Sequence, residues 1–236
     1  MTKVNELGLD IKNCRGQGYD GAGAMSGFRN GCSANILEIN RKALYTHCFS
    51  HQLNLVVSKT SKISSVDNMM AEAQKISEFF RSSEQRQVAF EKNVEKFCPG
   101  SAGNKIKDPC RTRWIERIIT LGVIVELYPA LWETLDEMRL NVEGKFNNKT
   151  QKDAFSFFKA IDSFDFIIDL ITTYKIFNYT LLVTKLLQSK NNDIADGVEM
   201  IESLVSLFKE IRCHCDRYHD KWYQEAVEIA EKFQNL

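Results

Sequence analysis

Apolar residues recur at three- and four-residue steps along most of this chain. Val66, Met69, Met70, Ala73, Ile76 and Phe80 form one stripe, and Ile167, Leu170, Ile171, Tyr174, Phe177 and Leu181 form another. Val198, Ile201, Leu204, Val205, Phe208 and Ile211 form a third. This spacing predicts amphipathic helices, each with one face to bury. Runs of turn-forming residues separate the helical stretches. They lie at Cys98-Pro99-Gly100 through Asp108-Pro109, at Asn141 to Thr150, and at Ser189 to Asp193.

The first fifty residues have a different texture. Arg15 to Asp20 reads as a short strand running into a glycine-rich turn, Gly21 to Gly27. Ser33 to Asn40 reads as a short helix, and Leu44 to Cys48 as a second strand. The expected class is therefore α+β, mostly α: a small strand-turn-helix-strand piece over 1–50, then an all-helical region over 51–236. Two strands do not form an independent sheet, so the remaining strands are expected to lie outside this chain. Their exposed edges would invite aggregation unless helices cover them.

Composition narrows the class. The 236 residues suffice for a sizeable core, and 3 prolines with 12 glycines favour long helices. Seven scattered cysteines, an odd number, do not resemble a secreted disulfide framework, so reduced thiols are expected. No basic-then-apolar leader opens the chain. The longest mostly apolar stretch, Ile118 to Val125, is too short to span a bilayer. An intracellular protein without a membrane partner is the expectation. Net charge is zero, but the first 120 residues carry 18 Lys+Arg against 12 Asp+Glu, and the rest carry 13 against 19. An anionic partner would accordingly meet the first half.

Four places could carry chemistry. Asp20 closes a predicted strand, where ligands gather in α/β folds, and its carboxylate suits Mg²⁺; an ordinary Asp-Gly turn would look the same. Cys48 and His51 have a gap that can present sulfur and nitrogen to zinc. No second pair lies at finger distance, so zinc is not expected, and a polar strand-to-helix turn or a buried cysteine beside a capping histidine remain open. Cys213-His214-Cys215 with His219 also looks metal-like, but Ile211 and Cys215 belong to an apolar stripe, and core cysteine is expected. Arg111, Arg113 and Trp114 at a loop-to-helix junction offer cations for phosphate and an aromatic plane for a base. Alone, Trp114 reads as a core anchor. The glycines from Gly16 to Gly31 match neither the dinucleotide fingerprint nor the P-loop.

In order, Arg15-Gly-Gln-Gly-Tyr-Asp-Gly-Ala-Gly-Ala-Met-Ser-Gly27, His47-Cys-Phe-Ser-His-Gln-Leu-Asn-Leu55 and Thr112-Arg-Trp114 resemble the hAT transposase superfamily. They resemble especially its vertebrate relatives among zinc-finger MYM-type proteins. The resemblance is strongest over 5–60 and only textural in the later helices. It implies an RNase H-like core, of which residues 1–50 would be part, with 51–236 as the helical insertion domain. It implies three carboxylates holding two Mg²⁺ ions, with Asp20 as the second of them. Cys48 and His51 match the Cys-x-x-His motif near that site. Arg113 and Trp114 match an Arg-Trp pair in which the Trp stacks near DNA. The first carboxylate is expected upstream of Met1 and the last beyond Leu236. The resemblance therefore implies a nuclear, transposase-derived fragment. It would bind DNA or other transposase-like or regulatory proteins and use Mg²⁺ only if active. Protein–protein regulation, or a share in an active transposase, are the alternatives.

Overall fold

The computed structural model describes residues 2–60, 62–106, 114–187 and 194–234. Helix dominates, with one small two-stranded sheet, so the chain is α+β and mostly α. It divides into two compact units, Met1–Val56 and Val57–Leu236.

In the first unit, helix α1 (Thr2–Glu6) and a 3-10 turn (Ile11–Asn13) lead into strand β1 (Gly16–Tyr19). Helices α2 (Gly23–Ser26) and α3 (Cys32–Ile39) then cross to β2 (Leu44–His47), and α4 (Phe49–Thr60) follows. The strands are parallel, pairing Gly16 with Leu44, Gln17 with Tyr45, Gly18 with Thr46 and Tyr19 with His47. The helical crossover is what a parallel pair requires. One face carries Gln17, Tyr19, Tyr45 and His47. Buried Gln17 donates from Nε2 to the carbonyls of Ser33 (3.1 Å) and Ala43 (2.9 Å), tying α3 to the strands. Asn40, at the end of α3, donates to the carbonyls of Ile11, Lys12 and Cys14 and so holds the chain entering β1. The other face carries Gly16, Gly18, Leu44 and Thr46, all exposed. Polar ties hold this unit more than apolar burial does: among its described residues, Ala43 is the one fully buried hydrophobic side chain.

The second unit is a helical bundle. Its helices are α5 (Ser64–Arg81), α6 (Glu84–Phe97), α7 (Trp114–Glu126), α8 (Tyr128–Leu140), α9 (Asn148–Ile161), α10 (Phe164–Leu187), α11 (Ile194–Cys213) and α12 (Cys215–Gln234). Helix α10 lies against α5, α7, α9, α11 and α12. It is long and apolar enough to cross a membrane by length and composition, further than the Ile118–Val125 stretch suggested, yet nearly half of its apolar window is buried inside the bundle. That is how a central helix of a packed bundle reads, since its neighbours demand apolar residues all round. Ile76, Phe80, Phe90, Leu131, Met138, Ile161 and Ile171 are buried in one continuous core. Two of the buried polar side chains, Tyr128 and Asn93, show how such groups are paired. The Tyr128 hydroxyl donates to the Ile161 carbonyl at 2.7 Å, and burial pushes its pKa up. Asn93 donates to Thr134 at 3.1 Å and to Glu137 at 3.0 Å.

The first predicted stripe faces this core, as do Ile167, Leu170, Ile171 and Tyr174 of the second. The third does so only in part: Leu204 is buried, while Val198 and Val205 are about half exposed. Helix α11 lies chiefly against α10 and only lightly against α12, so its apolar stripe is wider than its cover. The core-cysteine expectation fails as well. Cys213 and Cys215 are both exposed, because α11 ends at Cys213 and α12 starts at Cys215. The stripe does not continue through that break.

Candidate functional site at the strand ends

Because β1 and β2 are parallel, both end at the same sheet edge, and the sequence places its candidate residues just past those ends. Asp20 follows Tyr19 and Cys48 follows His47, the last register pair. The Cys48 amide donates to the Tyr19 carbonyl at 2.9 Å, prolonging the ladder by one bond. The Cys48 carbonyl accepts the Gln52 N–H at 3.0 Å as α4 begins. The thiol of Cys48 is exposed, not buried as a core cysteine would be. His51 is half-buried in the first turn of α4. The fold thus brings Asp20, Cys48 and His51 to one end of the sheet.

Asp20 is exposed, and its carboxylate accepts the Ala22 N–H at 3.1 Å. This bond turns the chain sharply into the glycine-rich segment. Gly21 makes the turn possible in a second way. A Cβ there would lie 3.0 Å from Cε1 and Nε2 of His47, so the backbone passes directly against the imidazole. The His47 ring lies 5.7 Å from the His51 ring and 6.5 Å from the Tyr45 ring, and Tyr45 lies 6.3 Å from Tyr19. The Tyr45 hydroxyl donates to the Asp20 carbonyl at 3.4 Å. Nε2 of His47 is buried without a hydrogen-bond partner. Near the other end of this row, a hydrogen bond with Cys32 raises the Tyr19 pKa, with burial adding to it.

Tyr45 and His47 were not singled out from the sequence. The available signal was their two-residue spacing on a strand, which puts both on the face of Tyr19. Arg113 lies outside the described residues, as do Cys110, Arg111 and Thr112. Trp114 begins α7, and its side chain lies outside them too.

As a donor set, the edge offers one carboxylate, two imidazoles and a thiol. Among the described residues, no three or more His, Cys, Asp or Glu side chains converge to hold a metal ion. Two-metal chemistry needs carboxylates bridging ions roughly 3.5–4 Å apart. Asp20 supplies one carboxylate, and among the described residues no group of three such side chains gathers around it.

This mostly helical chain is similar to a protein whose name is that of a repressor. That relative is the human "52 kDa repressor of the inhibitor of the protein kinase", 26% identical over 231 residues, which cover 97% of this chain and 30% of the relative. The mouse protein of the same name is 24% identical over 234 residues, 98% of this chain and 31% of the relative. The chain spans about a third of the length of these curated relatives. No family model matches it, and no solved structure does.

Proposed function

We propose that this chain is a transposase-derived regulatory segment that binds nucleic acid near its strand-end site and does not cut DNA unaided. The observation that carries this reading is the juxtaposition of Asp20 with the Cys48–His51 turn at one sheet edge. Similarity to a repressor along nearly the whole chain supports the regulatory part. On this reading the strand-helix-strand piece belongs to an RNase H-like core, and residues 51–236 are its helical insertion. Asp20 would hold Mg²⁺ with carboxylates from outside the chain, and Cys48 and His51 would flank them. Arg113 and Trp114 would meet DNA, and the protein would work in the nucleus. Zinc has no part in it.

The test is binding and Mg²⁺- or Mn²⁺-dependent nicking of hairpin and nicked duplexes at two salt concentrations, for wild type and Asp20→Ala. Expected is binding that weakens with salt, with no nicking in either protein. Nicking abolished by Asp20→Ala would show that the site is complete, and the non-cleaving reading would fall.

A second reading is protein recruitment, favoured by the part of the α11 stripe that its neighbours leave open at Val198 and Val205. A protein bound in this way would be retained by Arg113→Ala with Trp114→Ala and lost with Val198→Asp and Val205→Asp. The opposite pattern would rule this mode out.

A further inference from the structure

The glycine-rich turn after Asp20 presents an aromatic side chain that the fold leaves open. Phe28 is 84% exposed. It lies between Gly27 and Gly31; a Cβ on Gly31 would run into the Gly27 carbonyl, and one on Gly27 would run into the Gly23 carbonyl. The Gly31 N–H donates to the Gly27 carbonyl at 2.9 Å and closes the turn. Backbone geometry, rather than side-chain packing, therefore fixes where Phe28 stands. The Arg29 guanidinium lies over the ring, 5.2 Å from its centroid.

Beside Phe28 is a cavity of about 590 Å³ whose wall includes Phe28, Tyr45, Arg41, Glu38, Ser26 and Ser33. Its size falls within the roughly 300–1,000 Å³ of small-ligand sites. The lining combines two aromatic rings with an exposed guanidinium, a carboxylate and two hydroxyls. A purely apolar ligand would leave this polar set unused, and a simple anion would leave the rings unused. A nucleotide uses both: a flat base for the rings, polar edges for Glu38 and the serines, and a phosphate for Arg41. A paired base keeps its faces in the stack, so the base must be unpaired.

We infer that this pocket takes an unpaired nucleotide of a single strand, with its base against Phe28 and Tyr45 and its phosphate on Arg41. The inference rests on the nucleic-acid reading above and gives it a place. Tyr45 belongs both to the pocket wall and, through its hydroxyl on the Asp20 carbonyl, to the strand-end site. A strand held here runs beside Asp20.

The test uses the full chain with DNA and RNA oligonucleotides carrying 2-aminopurine, each single-stranded and as duplex. Stacking on Phe28 is expected to quench the fluorescence of the single strand. Phe28→Ala is expected to weaken single-strand binding by about 5- to 150-fold, the range for loss of one base–aromatic stack. Phe28→Trp should keep binding and quenching, whereas Phe28→Leu, which keeps the apolar bulk, should lose both. Arg41→Ala should lower the salt slope by about one. Circular-dichroism melts that match wild type would separate these effects from unfolding. If wild type binds single strand and duplex alike and Phe28→Ala changes neither, the pocket is wrong and nucleic-acid binding stands. If Phe28→Leu restores binding, the contact is merely apolar and the stacking inference falls. If wild type binds neither form, both readings fall together.

Discussion

At the scale of single residues, two carboxylates show how surroundings decide what an acid does. Asp20 sits in solvent and spends one oxygen on its own turn. Asp169, on α10, is partly desolvated and lies near Asp165, and these raise its pKa against the lowering effect of the Ser65 hydroxyl, which donates to it at 3.3 Å. A carboxyl whose folded pKa is raised favours the fold while protonated, and that contribution is lost as pH rises through the folded pKa. Asp169→Asn is therefore expected to raise the melting temperature at pH 7. The gain should be worth less than about 1 kcal/mol after solvent screening, and it should shrink towards pH 4 as the carboxyl takes up its proton. Equal melting shifts at both pH values would refute the charge argument. The place of Asp20 just past a short strand was legible from the Asp-Gly step, but its chemistry was not, since an ordinary turn looks the same. His47 was not legible. Its place depends on the strand register and on Gly21 passing across its ring, and neither leaves a trace in residue type.

Among the elements, the long stripes were legible because a helix with one buried face must repeat every three or four residues. What they concealed were breaks that do not interrupt the apolar spacing. Ser82-Ser83 separates α5 from α6, Leu127 separates α7 from α8, and His214 separates α11 from α12. The exposed Cys213 and Cys215 follow from the last of these. Close approach between helices was equally hidden. On α7, a Cβ at Gly122 would stand 2.9 Å from Cε2 of Tyr174 on α10, with the rest of the ring edge at 3.3 Å. Gly122→Val should thus cost about 1–3 kcal/mol by overpacking, read as an earlier midpoint in urea. Adding Tyr174→Ala should recover part of that loss. A single variant as stable as wild type would mean that the two helices separate freely there.

Over the whole molecule, the two units differ in what holds them. The bundle packs one continuous apolar core, whereas Met1–Val56 relies on hydrogen bonds from Gln17 and Asn40 and leaves one sheet face open. Backbone amides of β1 and β2 are accordingly expected to exchange with deuterium well before those of α8, α9 and α10. Equal protection of the two sets would show cover on the strands that the fold of this chain does not supply. The α+β class was legible from the change of texture near residue 50, since alternation and helical periodicity bury faces in different ways. How little the strands bury was not, because burial depends on what lies across the open face. That scant burial has a thermodynamic counterpart. The denaturant slope and the heat capacity of unfolding both scale with the surface newly wetted. For this chain both quantities should therefore follow the length of the bundle, and melting of the strand-bearing unit should pass almost unseen in a calorimeter.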